Sequence, residues 1–155
     1  MGIMLLQNPE KGLEELYRVT KPGGKCYFTT WHKLETSEMA NRVVQRLRGH
    51  NGTFDKPPIF WKPEMQDPKY LVSELERIGF KDCEAKIVEK RLVYSEQDAI
   101  GLAMRFIRKL FQRFLIFKDG EEEQWDKLWI EELKRLNTEV GVAFKMWPIY
   151  VWGTK

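Results

Sequence analysis

The residues with the clearest potential for chemistry are Trp31 and His32, which close a run of strand-forming residues that begins at Lys25. In open α/β sheets, ligands bind at the carboxyl ends of the strands, and we expect both side chains at that edge. There His32 is a candidate general acid or base, or a hydrogen-bond donor to a substrate carbonyl. The competing interpretation is an exposed loop histidine, because the sequence shows no partner for it. His50, in a polar Gly-His-Asn-Gly turn, is interpreted as structural or exposed.

A second set of candidates is aromatic or apolar and predicts a hydrophobic substrate-binding surface. Its members are Trp31, Phe54, Phe60, Trp61, Phe106 and Leu110. The aromatic residues from the glycine- and proline-rich segment 49–63 serve equally well to anchor that loop to a core. Phe106 and Leu110 belong to an apolar stripe over 99–117. This stripe predicts a core or interface helix, or else a lid over a substrate.

Several kinds of chemistry are excluded by what the chain lacks. Two histidines and the distant cysteines Cys26 and Cys83 predict no metal site, no CxxC motif is present, and no Gly-x-Ser-x-Gly elbow occurs. A net charge of +3, from 26 basic and 23 acidic residues, argues against a nucleic-acid partner. No run approaches the roughly 20 apolar residues that span a bilayer, so we expect no membrane partner. Unpaired cysteines and the lack of a signal peptide predict a cytoplasmic protein.

The elements that must position these residues alternate between strand and helix, which predicts an α/β fold with a largely parallel sheet. Strands are predicted at 2–6 (a remnant), 25–31, 81–94 and 141–152, and helices at 9–20, 36–47, 68–78, 99–117 and 121–136. The length predicts one domain covering residues 1–155, in which 95–138 is a helical insertion between the last two strands.

One stretch is more specific than the pattern around it. Residues 14–25 read Glu-Glu-Leu-Tyr-Arg-Val-Thr-Lys-Pro-Gly-Gly-Lys. This resembles the E-x-x-R-V-L-K-P-G-G signature of class I S-adenosylmethionine-dependent methyltransferases of the ubiquinone, menaquinone and sterol types, with Thr20 in place of leucine. Proline ends the helix and the two glycines permit the sharp turn into the next strand. Residues 75–82 similarly resemble the family's L-x-x-A-G-F-x-x.

The resemblance implies a partial Rossmann-like sheet made of a remnant of strand four, then strands five, six and seven, with flanking helices. The family binds its cofactor at a glycine-rich turn after strand one, where backbone must approach the ligand. In this chain no two glycines are separated by a single residue. We therefore expect no cofactor, and S-adenosylmethionine only if a partner carries the missing half.

Three functions fit these expectations. The first is a cofactor-independent enzyme of the cyclase or pericyclase type, acting on an apolar small molecule in secondary metabolism. The second is a non-catalytic partner of a methyltransferase, and the third is a fragment or subunit of an active one. Because strands one to three are missing, we expect an exposed apolar edge strand. That edge predicts a homodimer, a swapped oligomer or a complex with a complementary methyltransferase-like chain.

Overall fold

The computed structural model describes residues 3–55, 62–102, 105 and 108–155. They form a mixed α/β fold with a five-stranded sheet. The helices are α1 (Pro9–Val19), α2 (Glu35–Arg48), α3 (Pro68–Ile78), α4 (Glu96–Leu102), α5 (Arg108–Gln112) and α6 (Glu121–Lys134), with short 3-10 helices at Ile3–Leu5 and Pro63–Gln66. The strands are β1 (Lys25–Leu34), β2 (Lys81–Ile87), β3 (Lys90–Tyr94), β4 (Asn137–Thr138) and β5 (Gly141–Thr154).

The chain divides into two compact units. Unit 1 comprises Met1–Lys33, Ile59–Lys90 and Met146–Lys155, and unit 2 comprises Leu34–Pro58 and Arg91–Lys145. Unit 1 thus contains α1, α3, β2, nearly all of β1 and the later part of β5, whereas unit 2 contains α2 and α4 to α6.

The two helices of unit 1 begin and end at local sequence signals. The Asn8 side chain accepts a hydrogen bond from the Lys11 amide at 3.0 Å, and Pro9 occupies the first helical position of α1. Asp67 caps α3 in the same way, and Gly79 ends it in the left-handed conformation with φ 115°. Both helix starts, and the end of α3 at Ile78, confirm the bounds predicted from sequence.

An aliphatic core joins these helices to the sheet of unit 1. Alternate residues of the strands point inward, among them Cys26 on β1 and Val151 on β5. The core consists of Leu13, Cys26, Met65, Leu71, Leu75, Phe80, Ile149 and Val151. Because Leu13 lies on α1, and Leu71 and Leu75 lie on α3, both helices cover the same face of the sheet.

The pairing of the strands differs from the predicted parallel sheet. β2 pairs antiparallel with β5, with Ala85 opposite Val151, and β4 also pairs antiparallel with β5. The expectation of a largely parallel sheet was therefore wrong. The alternation of helix and strand signals does not reveal strand direction, and β5 runs antiparallel to β2 although α4, α5 and α6 lie between the two strands in the chain.

Three further predictions about elements were wrong. Ile3–Leu5 form a 3-10 helix rather than a strand remnant, the predicted strand 81–94 is divided into β2 and β3, and the predicted helix 99–117 ends at Gln112. A short apolar run does not distinguish a strand from a helical turn, and a continuous apolar stripe does not show where a helix ends. The described part of segment 95–138 contains α4, α5 and α6, and its role as a lid stays a prediction.

In unit 2, α2 packs against α6 through apolar faces and a buried carboxylate. Glu132 is fully buried, and its Oε2 accepts a hydrogen bond from Arg42 Nε at 2.8 Å. Its Oε1 lies 3.2 Å from Arg46 Nη1 and 2.7 Å from Arg135 Nη1. Three guanidinium groups therefore offset the cost of burying one carboxylate.

A second set of ion pairs in unit 2 centres on Arg48. Its Nη1 lies 2.8 Å from Asp55 Oδ2, and its Nη2 lies 3.0 Å from Glu121 Oε2. The Ile116 amide donates to Asp55 and, together with Arg48, holds the pKa of that carboxyl below its usual range. The Arg48 hydrogen bond likewise lowers the pKa of Glu121.

Candidate functional site

Trp31 and His32 lie within β1, which continues to Leu34, three residues beyond the predicted strand end at Trp31. Successive side chains of a strand point to opposite faces. His32 therefore shares the inward face with Thr30, which is fully buried, while Trp31 shares the outer face with Tyr27. The two residues do not line the same face of the sheet, and their roles in a substrate-binding or catalytic site stay predictions.

The immediate surroundings of His32 are those of an exposed side chain held by one backbone group. Its Nδ1 lies 2.9 Å from the carbonyl oxygen of Gln66, an acceptor that a proton on Nδ1 would meet. Beside it, Thr30 Oγ1 donates to the Met65 carbonyl at 3.2 Å. His32 is thus oriented by the Pro63–Gln66 turn, and its role as a catalytic residue stays a prediction.

Among the pocket candidates, Phe54 and Leu110 belong to unit 2, whereas Phe60, Trp61 and Phe106 lie outside the described residues. The Phe54 ring stacks on Phe111, the neighbour of Leu110, with centroids 5.8 Å apart. Phe111 in turn lies 6.0 Å from Trp129, which stacks on Trp125 at 5.4 Å. We call Phe54, Phe111, Trp125, Trp129 and Phe117 the aromatic cluster of unit 2.

Two polar groups inside this cluster stand out. Trp125 and Trp129 are fully buried, and among the described residues neither indole N–H has a hydrogen-bond acceptor. Buried indole N–H groups usually find an acceptor, because leaving one unpaired costs about 1–3 kcal/mol. The cluster therefore holds two unused donors within an apolar surrounding.

An open groove on unit 1 was not among the sequence predictions. It has a volume of about 720 Å³ and is lined by Tyr27, Phe28, Thr29, Lys86, Val88, Lys90, Tyr150, Val151 and Trp152. A usable sequence signal was present: Tyr27 alternates with buried Cys26, and Tyr150 and Trp152 alternate with buried Val151. Strands that carry apolar residues on both sides are typical of a sheet whose two faces are both covered by other elements.

A small cluster of ionisable groups ties α1 to α3 in unit 1. Lys62 Nζ donates to both oxygens of Glu10 at 2.9 Å, and the Tyr70 hydroxyl donates to Glu10 at 3.2 Å. The Lys62 hydrogen bond lowers the pKa of Glu10. Burial, with nearby Glu74 and Glu10, raises the pKa of Tyr70 to about 12. The phenol therefore stays protonated at neutral pH and acts as a hydrogen-bond donor rather than as a base.

Other chemistry is limited in the part of the chain that is described. No group of three or more histidine, cysteine, aspartate or glutamate side chains there could hold a metal ion. Burial raises the pKa of both cysteine thiols, Cys26 and Cys83, which disfavours the reactive thiolate. Within the same residues, no helix is both long and apolar enough to cross a membrane.

Comparisons with known proteins add little to this picture. No family model matches the sequence, and no curated protein matches it. The solved structures that resemble the chain include a Bacillus halodurans protein provisionally assigned as a methyltransferase, at 17% identity and a TM-score of 0.45. That alignment covers 100% of this chain, which spans 66% of the length of that structure.

Proposed function

We propose that these 155 residues form the later part of a methyltransferase-like fold, and that a polypeptide segment outside them supplies the elements that bind S-adenosylmethionine. The observation that carries this proposal is the position of β1. This ten-residue strand stands at the end of the order β1-β5-β2, so β5 is its neighbour on one side. Within the described residues, no strand pairs with its other side. An unpaired edge of this length is a template for another strand.

Two features of the sequence support the same proposal. The Arg-Val-Thr-Lys-Pro-Gly-Gly segment lies where α1 ends and β1 begins, and Gly23 has the positive φ of 72° that the turn requires. The segment is therefore scaffold, and it carries no chemistry of its own. Because the glycine pattern for close approach to a dinucleotide-like cofactor is missing from the chain, we assign cofactor binding to the other segment.

Two measurements on the chain alone test the proposal. Isothermal titration with S-adenosylmethionine should show no binding, because the backbone turn that would hold the cofactor is missing. Light scattering at micromolar concentration should show association to a dimer or larger species, because the edge of β1 pairs with itself when nothing else does. Binding of S-adenosylmethionine with a micromolar Kd would contradict the assignment of the cofactor to another segment. A monomer at all concentrations would contradict the role given to β1.

A second candidate function is binding or cyclisation of an apolar small molecule without a cofactor, as in secondary metabolism. The two unpaired indole N–H groups of the aromatic cluster favour it, because a ligand carbonyl is an acceptor that both lack. Thermal stabilisation by a linear polyene ketone, but not by the matching hydrocarbon, is the expected result. The double variant Trp125→Phe and Trp129→Phe, which removes both N–H groups and retains large rings, should abolish the difference between the two ligands.

If such a ligand is turned over, His32→Ala and Trp31→Ala test the sequence candidates on β1, which belongs to unit 1 and not to the unit of the aromatic cluster. The two side chains point to opposite faces of β1, so loss of turnover in one variant would favour that face, whereas turnover retained in both would favour the aromatic cluster. Equal stabilisation by the ketone and the hydrocarbon in the unaltered chain would argue against this second function.

A further inference from the structure

Among the described residues of unit 1, helices cover one face of the sheet and leave the other without a helix. On the covered face α1 and α3 contribute Leu13, Leu71 and Leu75 to the core. The opposite face, which we call the outer face, carries the residues that alternate with the core positions. Lys86 on β2 pairs with Tyr150 on β5, and the outer positions of the neighbouring strands are Tyr27 and Thr29 on β1 and Trp152 on β5.

The outer face is apolar and open at its centre. Tyr27 is 65% exposed and Tyr150 is 38% exposed, and both line the groove together with half-buried Trp152. Clusters of exposed aromatic side chains on a folded domain usually mark a surface that binds a partner, because their exposure to water is unfavourable. Three rings on two neighbouring strands make such a cluster.

The charge at the rim of the groove has one sign. Lys86 and Lys90 line it, and no carboxylate is among its lining residues. Within the described residues, neither ammonium group has an ion-pair partner. One acidic side chain, Glu84, lies opposite Trp152 in the pairing of β2 with β5, beyond the groove-lining set. The basic end of the outer face therefore favours an acidic group in whatever covers it.

The width of the outer face matches a helix. The order β1-β5-β2 places three strands side by side, and strands lie about 4.8 Å apart, so the apolar centre is about 10 Å across. An α-helix with its side chains has a diameter of about 10–12 Å. Helices are also the elements that cover sheets in mixed α/β proteins.

We propose that the outer face binds an amphipathic helix, with its apolar stripe on Tyr27, Tyr150 and Trp152 and with acidic side chains facing Lys86 and Lys90. The inference rests on the proposed function, since it places this helix in the segment that completes the fold. The apolar stripe supplies most of the binding free energy. The two lysines determine the direction in which the helix lies.

The test uses the full chain and two designed peptides of about 20 residues, each an amphipathic helix with a leucine stripe. One peptide carries glutamates beside one end of the stripe, and the matched peptide carries lysines there. Fluorescence anisotropy of the labelled peptides should give a Kd about tenfold lower for the acidic one, because two partly exposed ion pairs contribute together about 1–1.5 kcal/mol. The preference should diminish in high salt.

Charge reversal on the protein supplies the control. In the variant with Lys86→Glu and Lys90→Glu, the acidic peptide should lose its tenfold advantage. A control variant with Lys11→Glu and Lys69→Glu has the same net charge, reverses two exposed lysines on α1 and α3, and should retain the advantage. Tyr27→Ala should weaken both peptides alike, because the ring contacts the stripe and not the charges.

Three results would overturn the docking proposal. They are equal affinity for the two peptides, the same behaviour of both charge-reversal variants, and a chain dimer that Tyr27→Ala dissociates, which would make a second copy the occupant. None of them involves S-adenosylmethionine. Binding of that cofactor by the chain alone would instead contradict the proposed function and leave the peptide results as they are.

Discussion

The interior of unit 1 and the interior of unit 2 are stabilised by different kinds of contact. The core of unit 1 is mainly aliphatic, with leucines from α1 and α3 against the sheet, and its helices start at side-chain caps. Unit 2 relies on stacked aromatic rings and on carboxylates held by arginines, above all Glu132. Aliphatic packing follows from local periodicity, whereas the ring contacts of Phe111 and the ion pairs of Glu132 with α2 join residues that are distant in sequence. The units should therefore respond differently to mutation and to pH.

The largest expected effect is in the core of unit 1. Leu75→Ala removes a fully buried side chain from α3 and should lower the free energy of unfolding by about 3–4 kcal/mol, because it leaves a cavity in a close-packed core. Urea unfolding followed by circular dichroism measures the change. Val19→Ala, at a position of α1 that is 57% exposed, is the control and should change it by about 0.5 kcal/mol or less. Similar effects from the two variants would contradict the core assignment.

A somewhat smaller effect is expected from the buried carboxylate of unit 2. Glu132→Gln removes the charge that Arg42, Arg46 and Arg135 share and should cost about 2–3 kcal/mol. This loss of stability is near the lower end of the range for buried ion pairs because the arginines are partly exposed and remain hydrated. Glu131→Gln, which alters an exposed partner of Arg46, should cost less than about 1 kcal/mol. An equal loss of stability in the two variants would show that burial of Glu132 adds nothing to the contribution of its ion pairs.

The smallest effect concerns pH. The folded-state pKa values of Asp55 and Glu121 are lowered, so both groups favour the folded state when ionised. Their contribution is fully present above the unfolded-state values of about 4 and is lost as the pH falls through the lowered folded-state values. Arg48→Gln should lower Tm by about 2–4 °C at pH 7 and flatten its dependence on pH between 5 and 3.

The control for that measurement is Arg113→Gln, which alters an exposed arginine of the same unit. It should leave both Tm and its pH profile unchanged. A profile for Arg48→Gln that parallels the unaltered chain would mean that Arg48 does not determine the ionisation of its two neighbours.

The sequence predicted the elements of unit 1 best, because their signals are local. Asp67 and Gly79 mark both ends of α3, and Asn8 with Pro9 marks the start of α1. The end of α5 at Gln112 has no such signal, since the apolar stripe continues to Phe117. Phe111 there packs on Phe54 and Trp129, contacts that a local pattern does not encode.

The candidate site was less predictable than the fold. The periodicity of β1 separates Tyr27 from Cys26 onto opposite faces, but it does not show which face the helices cover. The groove appears only once α1 and α3 are placed on the side of Cys26. The sequence also did not show that β1 continues to Leu34, where strand alternation places Trp31 and His32 on opposite faces, and their roles in a site stay predictions.

The stacked pair Trp125 and Trp129 also gives unit 2 an optical signature. Two indole chromophores with centroids 5.4 Å apart and planes inclined by 29° couple their electronic transitions, which produces a paired band in the circular dichroism spectrum. Their burial makes the band depend on intact packing of α6. Unfolding of unit 2 can therefore be followed by the paired circular dichroism band of the two indoles, without a label. The backbone circular dichroism signal follows the chain as a whole.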